Sequence, residues 1–225
     1  SGRQEELFLR LNALHKPIVT VLIATKPLCL TRVAEESGAF IAAFNGGQYG
    51  GQAVAEAIFG QINPSGKLPI SFPRHSGQIP VYYNSLPGWH GEKYVDLPES
   101  PLFCFGEGLS YTKFAYSNLC MDADALQARV TLANVGTRAG SETVQVYVRD
   151  LVSSVITPVK RLIAFQKVSL AAGEARELVF SLKREDFSLV LPSEQRVVEP
   201  GAFALFVGGS SKDADLLRYD LSLQE

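Results

Sequence analysis

Residues 18–24 read IVTVLIA, and residues 39–44 read AFIAAF. Uninterrupted runs of this kind, the first of them rich in β-branched residues, are typical of strands that a parallel sheet buries on both faces. The segment at 30–36 between them is a candidate helix that Gly38 stops. This part of the chain therefore predicts parallel strands alternating with helices.

The sequence on either side of these runs adds two more helices. One is predicted over residues 3–14, where leucines recur at helical spacing after a capping-box pattern of Ser1 and Gln4. The other is predicted over residues 52–59, with Gly60 in the position that ends a helix. The predicted order is helix, strand, helix, strand, helix.

A glycine-rich turn, NGGQYGG at residues 45–51, joins the second strand to the third helix. Such a turn can cradle a phosphate at a helix N-terminus, but the spacing here is that of neither known phosphate-binding motif. Tight packing of helix on strand, or close approach of the backbone to a neutral ligand, accounts for the glycines better. Because ligands bind at the carboxyl ends of parallel strands, Gln48 is the candidate ligand-binding residue of this turn.

Two parallel strands do not form a stable sheet, since each needs neighbouring strands and helices on both faces. The α/β segment is therefore predicted to be incomplete. Either another chain supplies the missing strands, or residues preceding Ser1 in the same protein do.

Beyond residue 60 the periodicity of the apolar residues weakens, and after Tyr111 it changes to a period of two. Residues 61–110 are rich in proline and glycine, and loops of this length carry function or wrap another domain. After Tyr111 the apolar residues alternate, which predicts short strands at 126–132, 143–148, 161–165, 177–182 and 202–207. The spacing is typical of an immunoglobulin-like sandwich. The predicted boundaries are 1–75 for the α/β part, 76–112 for a connector and 113–225 for the sandwich.

Composition excludes several classes of partner. The formal net charge is −2 and the basic residues are scattered, so no nucleic-acid partner is expected. No apolar run reaches the length of a membrane span. Three cysteines without paired spacing predict neither a disulfide framework nor a zinc site, and they weakly favour a reducing, cytoplasmic compartment. The three histidines lack metal-ligand spacing, so we expect no metal and no cofactor.

Four stretches resemble the C-terminal part of glycoside hydrolase family 3, the β-glucosidase and β-xylosidase family. Residues 44–51 resemble that family's Tyr-Pro-Gly-Gln-Glu-Gly-Gly loop, although Asn45-Gly46 replaces the aromatic-proline pair and Tyr49 stands where Glu is common. The run FGQINPSGKLPISFP at 59–73 matches almost residue for residue. The other two are LFCFGEGLSYT at 102–112, which in the family precedes a fibronectin III-like domain, and 134–148, which resemble the opening strands of that domain.

The resemblance implies a catalytic apparatus that this chain does not contain. A retaining glycosidase uses a nucleophilic carboxylate and an acid/base carboxyl group about 5 Å apart. In the family, the nucleophilic Asp comes from an N-terminal TIM barrel, and the acid/base Glu lies upstream of the strand matched by residues 18–24. Both are expected before Ser1, so no catalytic residue is assigned here.

Local carboxylates provide weaker candidates. Glu92 and Asp96 lie in the loop after Trp89, and an aromatic ring beside carboxylates can stack on a sugar and bind its hydroxyls. Trp89 and Glu92 are therefore candidate substrate-binding residues with Gln48, and a solvated loop that packs on the barrel is the alternative. Glu107 is expected to be structural.

Two functions from different classes remain open. The first is the C-terminal portion of a retaining, exo-acting β-glucosidase, with β-xylosidase as its rival, active only with its N-terminal barrel portion and free to form a homo-oligomer. The second is a carbohydrate-binding or structural accessory protein without activity. For the chain alone, we expect residues 18–44 to be poorly ordered and no glycoside to be hydrolysed.

Overall fold

A computed structural model describes residues 3–88 and 96–224. The described chain falls into two compact units that alternate along the sequence. We call residues 3–62, 72–81 and 100–103 the α/β unit, and residues 63–71, 82–88, 96–99 and 104–224 the sandwich unit. The predicted boundaries at 75 and 112 stay a prediction.

The α/β unit has the predicted order of elements. It consists of α1 (Gln4–Asn12), β1 (Val19–Leu22), α2 (Thr31–Glu36), β2 (Ala39–Ala42) and α3 (Gly50–Ile58), with a 3-10 turn at Gly47–Tyr49. The strands β1 and β2 pair in parallel, with Val19 opposite Ala39 and Leu22 opposite Ala42. The prediction of an α/β segment is confirmed.

Several predicted ends in this unit are wrong by a few residues. The cap of α1 is Arg3, which makes no side-chain capping hydrogen bond, and Ser1, on which the predicted capping box depends, lies outside the described residues. The strand β1 stops at Leu22, and Ile23 after it is 75% exposed. Helix α3 begins at Gly50, two residues early, because the preceding 3-10 turn runs directly into it.

The α/β unit buries few side chains. Among its described residues, the buried hydrophobic side chains are those of Phe8, Val33 and Phe72. Every residue of β1 and β2 is half-buried or exposed. The cover on both faces that the apolar runs predict is therefore not supplied by the described part of this chain.

The sandwich unit contains nine strands in antiparallel pairs. They are β3 (Phe114–Asp122), β4 (Gln127–Asn134), β5 (Gly140–Asp150), β6 (Arg161–Leu170), β7 (Ala175–Ser181), β8 (Leu189–Val190), β9 (Arg196–Val197), β10 (Gly201–Gly208) and β11 (Leu216–Leu223). A four-stranded sheet has the order β11-β10-β5-β6, a three-stranded sheet has the order β3-β4-β7, and β8 pairs with β9. The predicted sandwich is confirmed. All five predicted strands are present, whereas β3, β11 and the short pair were missed.

Eighteen buried residues form the core of the sandwich. Strand β5 is buried on both faces: its valines Val144, Val146 and Val148 point into the core, and Gln145 and Tyr147 lie on the other face. Connector residues of the same unit cover that outer face. Tyr83 stacks on Phe105 at 4.3 Å and meets the Tyr147 ring edge-on at 5.8 Å.

Residues of the run 59–73 also make polar contacts inside the sandwich unit. Lys67 Nζ lies 2.7 Å from Glu142 Oε1, and both side chains are nearly buried. Asn63 Oδ1 accepts hydrogen bonds from Ser110 Oγ (2.9 Å) and the Tyr111 amide (2.8 Å). Asn63 and Lys67 of the family-like run at 59–73 therefore contribute to the packing of the sandwich unit. No helix in the described ranges is long and apolar enough to span a membrane.

Candidate functional site

The candidate site is the loop at residues 44–49, which follows the carboxyl end of β2. The Ala43 amide donates to the Leu22 carbonyl at 2.9 Å, which continues the pairing one residue beyond the strands. The chain then turns sharply at Phe44, whose φ is +48°, a left-handed conformation that is uncommon outside glycine. This turn directs the next residues away from the sheet, beyond the carboxyl ends of the strands. Parallel α/β sheets bind their ligands at that end.

Phenylalanines support the base of this loop. The Phe44 ring meets the Phe72 ring edge-on at 6.4 Å, and Phe72 meets Phe103 edge-on at 6.0 Å. Phe40 of β2 stacks on Phe103 at 5.7 Å. Phe72 is only 1% exposed. Edge-on and offset ring pairs are the favourable aromatic geometries, so the base of the loop is firmly packed.

Backbone hydrogen bonds hold these aromatic residues in register. The Phe72 amide donates to the Phe103 carbonyl at 2.9 Å, and the Leu102 amide donates to the Phe72 carbonyl at 2.8 Å. These two bonds make a short antiparallel bridge between segments about thirty residues apart in sequence. The bridge places Phe72 and Phe103 under the loop, although neither residue lies on a regular strand.

The tip of the loop is exposed. Residues 45–49 all lie at the surface, and the Tyr49 ring is 68% exposed. Gln48 offers an amide that both donates and accepts hydrogen bonds, and Tyr49 adds an aromatic face and a hydroxyl. Residues 44–49 include no carboxylate. The loop can therefore bind a neutral polyol such as a sugar, but it does not supply the carboxyl pair of a glycosidase.

Burial shifts the pKa values of several titratable groups. Burial raises the pKa of Tyr147 and of the Cys104 thiol above their ordinary values, and Glu107 adds to the effect on Cys104. Burial, together with the neighbouring Glu142 carboxylate, also raises the pKa of Tyr116. All of these residues belong to the sandwich unit. None of them belongs to the candidate loop at residues 44–49.

The other predicted site residues divide into two sets. Trp89 and Glu92 lie outside the described residues, so their relation to Gln48 stays a prediction. Glu107 lies in the sandwich unit, where its Oε2 accepts the Cys104 amide at 2.8 Å and closes the turn that contains both residues. The histidines that are described are His15 and His75, and His75 Nδ1 accepts the Gly77 amide at 3.1 Å. Within the described ranges, no group of three metal-binding side chains is found.

A groove of about 580 Å³ lies at the opposite edge of the sheet, beside the amino ends of the strands. Its lining includes Asn12, Arg32 and Glu36. The Glu36 carboxylate accepts hydrogen bonds from Asn12 Nδ2 (2.7 Å) and Arg32 Nε (2.7 Å), so these polar groups already bind one another. The groove is therefore not the candidate site.

Sequence reasoning missed the aromatic support of the loop. Phe72 and Phe103 are distant in sequence and lie in irregular segments. Neither hydrophobic periodicity nor motif spacing therefore predicts that they pack together. The signal that was available is that Phe72 and Phe103 both lie in the family-like motifs, at 59–73 and 102–112.

Comparison with known proteins places both parts of the chain in one family. The sequence profile described as the glycosyl hydrolase family 3 C-terminal domain matches residues 1–111. The profile described as a fibronectin type III-like domain matches residues 142–211.

Individual relatives agree with these profiles. A β-xylosidase of Formosa agariphila is 38% identical over 99% of this chain and 32% of its own length. A periplasmic β-glucosidase of Salmonella typhimurium is 37% identical over 92% of this chain and 29% of its own length. A crystal structure of a β-glucosidase from Listeria innocua in complex with glucose superposes with a TM-score of 0.91 at 36% identity, covering 99% of this chain and 33% of that one. The chain thus spans about a third of the length of the relatives it matches.

Proposed function

Because the chain belongs to glycoside hydrolase family 3, of which it is the C-terminal portion, we propose that the whole protein is a retaining, exo-acting β-glucosidase. It removes terminal β-D-glucosyl residues by double displacement, using a nucleophilic carboxylate and an acid/base carboxyl group. The observation that carries the proposal is the match of nearly the entire chain, α/β unit and sandwich together, to solved β-glucosidases.

In this proposal, the chain binds and braces but does not perform the chemistry. The nucleophilic Asp and the acid/base Glu belong to the upstream portion, with its TIM barrel. Gln48 hydrogen-bonds a sugar hydroxyl from the loop beyond β2, and Trp89 and Glu92 make further contacts to the substrate. The exposed tip of the loop, on a base packed by Phe72, supports the first of these roles.

The upstream portion has a second task, which is to complete the α/β sheet. The half-exposed strands β1 and β2 support this part of the proposal, as do the exposed side chains of Leu7 and Leu11 in α1 and of Leu14 just after it. Parallel strands are stable only when they are flanked by further strands and helices. The chain alone is therefore inactive.

A β-xylosidase is the rival activity, because the two curated relatives described above have nearly equal identity and different names. Parallel assays on 4-nitrophenyl β-D-glucoside and 4-nitrophenyl β-D-xyloside separate the two. We expect kcat/KM for the glucoside to be the larger. A larger value for the xyloside would reassign the substrate and leave the reaction class unchanged.

The decisive experiment compares the full-length protein from the intact gene with the 225-residue chain expressed alone. We expect hydrolysis by the former and none by the latter. If the full-length protein cleaves neither glycoside yet binds glucose, the non-catalytic, carbohydrate-binding alternative replaces the proposal. Hydrolysis by the isolated chain would show that it contains its own catalytic carboxylates.

A further inference from the structure

We propose that Gly46 is a positioning residue for substrate binding, acting through Gln48; this inference rests on the proposed function. Gly46 lies two residues before Gln48, and Gly50 lies two residues after it. The structure brings these two glycines into direct backbone contact, with the 3-10 turn Gly47–Tyr49 between them.

The contact, and not the backbone torsion, is what requires glycine at position 46. The φ of Gly46 is −72°, which any residue adopts. A Cβ added there, however, would lie 2.7 Å from the Gly50 Cα, far inside ordinary contact distance. The atom it meets belongs to the backbone at the start of α3, so no side chain can rotate aside to make room.

The base of the loop is fixed on the other side as well. Phe44, two residues before Gly46, is held in its left-handed conformation, and its ring packs on the buried Phe72. Gln48 therefore sits in a short turn whose two flanks cannot move independently. Its side chain extends into solvent from a backbone held at both ends.

An alanine at position 46 must push the loop and the start of α3 apart. Ordinary contacts of a Cβ begin at 3.4 Å, so the separation has to grow by 0.7 Å to reach one. Good hydrogen bonds span only about 0.5 Å in length, from about 2.7 to 3.2 Å. A shift of this size at Gln48 is enough to break one hydrogen bond to a sugar hydroxyl. The geometry thus assigns Gly46 to sugar recognition without any contact of its own to the sugar.

A double-mutant cycle in the full-length enzyme tests this inference. We expect Gln48→Ala and Gly46→Ala each to lower kcat/KM for the glucoside by about three- to tenfold, the loss of one hydrogen bond. The double variant is expected to lose no more than the larger single loss, because Gly46 acts only through Gln48. The matched control is Gly66→Ala, where a Cβ meets nothing within 4 Å, and its kcat/KM is expected to equal that of the parent.

Each outcome decides a different point. An inactive parent enzyme overturns the proposed function itself. An active parent with an unaffected Gln48→Ala variant leaves the function standing and overturns both the role of Gln48 and this inference. A normal Gly46→Ala variant, or losses that multiply in the double variant, overturns the inference alone.

A second variant covers the case in which Gly46→Ala fails to fold. Phe44→Asn keeps a residue type that tolerates the left-handed backbone but removes the ring that packs on Phe72. If the held loop positions Gln48, this variant also lowers kcat/KM about three- to tenfold and is not additive with Gln48→Ala. Full activity of Phe44→Asn would contradict the inference.

Discussion

The two units of this chain differ in how completely they bury their own apolar residues. The sandwich unit has an eighteen-residue core in which Leu132, Val144 and Leu205 have no exposed surface. The α/β unit has more regular helix and strand signals in its sequence, yet its strands remain half-exposed. Clear local patterning therefore does not imply a self-sufficient fold.

This difference in burial follows from how the two faces of each kind of sheet are covered. An antiparallel sandwich needs only two sheets, and both come from one continuous stretch of chain. A parallel sheet needs helices on both faces and several neighbouring strands. The described sandwich unit closes a core of its own, whereas the strands of the described α/β unit stay half-buried or exposed.

The largest expected effect is a difference in hydrogen exchange within the isolated chain. We predict that amides of β1 and β2 exchange more than about a thousandfold faster than those of β5 and β10. The reason is that the former open locally at little cost, whereas the latter open only with the whole sandwich. Hydrogen-exchange mass spectrometry measures this ratio. Equal protection of the two sheets would show that the α/β unit folds without further strands.

Side-chain truncation sharpens the same contrast. Leu205→Ala removes a fully buried side chain, and we expect it to lower the free energy of unfolding by about 3–4 kcal/mol. Leu7→Ala removes a side chain that is 58% exposed, and we expect a change below about 0.5 kcal/mol. Urea denaturation followed by circular dichroism compares the two. A large cost for Leu7→Ala would place α1 in a core of its own.

Ion pairs provide a third comparison. Lys67→Met leaves the nearly buried Glu142 carboxylate without its cation, so we expect a loss of about 2–3 kcal/mol. The matched change in the α/β unit is Arg10→Met, which breaks an exposed pair with Glu6 and is expected to cost about 0.5 kcal/mol or less. Thermal unfolding of both variants at low and high salt measures the difference. A loss for Lys67→Met as small as that for Arg10→Met would mean that water reaches Glu142.

The smallest effect is a pH dependence in the sandwich unit. Burial, and next the nearby Glu199 carboxylate, raises the pKa of Asp150, although the Val152 amide donates to Asp150 and opposes the shift. Because the folded-state pKa is raised, the folded protein binds the proton more tightly, and stability falls as pH rises from the usual carboxyl range through the raised pKa.

Asp150→Asn removes that ionisation and keeps an oxygen that accepts the Val152 amide. We expect the variant to be more stable than the parent at pH 7, by less than about 1 kcal/mol, and equally stable near pH 3. Melting temperatures measured across this range provide the check. A variant that is less stable than the parent at pH 7 would mean that the charged carboxylate stabilises the fold.

The strands and helices that could be predicted are those with strong periodicity. The alternation in 143–148 identified β5, and the apolar runs identified β1 and β2. Strand β3 was missed because the irregularity between Ser117 and Cys120, where Asn118 has a φ of +54°, breaks its alternation. Strand β11 was missed although its apolar residues alternate from Leu217 to Leu223. Within the candidate site, Gln48 was predicted from its place after a strand and stays a prediction, whereas the packing of Phe72 and Phe103 depends on contacts between distant segments.

By itself, the sequence determined the two-part organisation, the kind of sheet in each part and the family. These features follow from local periodicity and from contiguous motifs, which need no knowledge of distant contacts. Only the tertiary structure decided that Phe72 packs under the loop, that Gly46 touches Gly50 and that β1 and β2 stay half-exposed. Each of these depends on where separate segments meet in space, and local patterning does not encode that meeting.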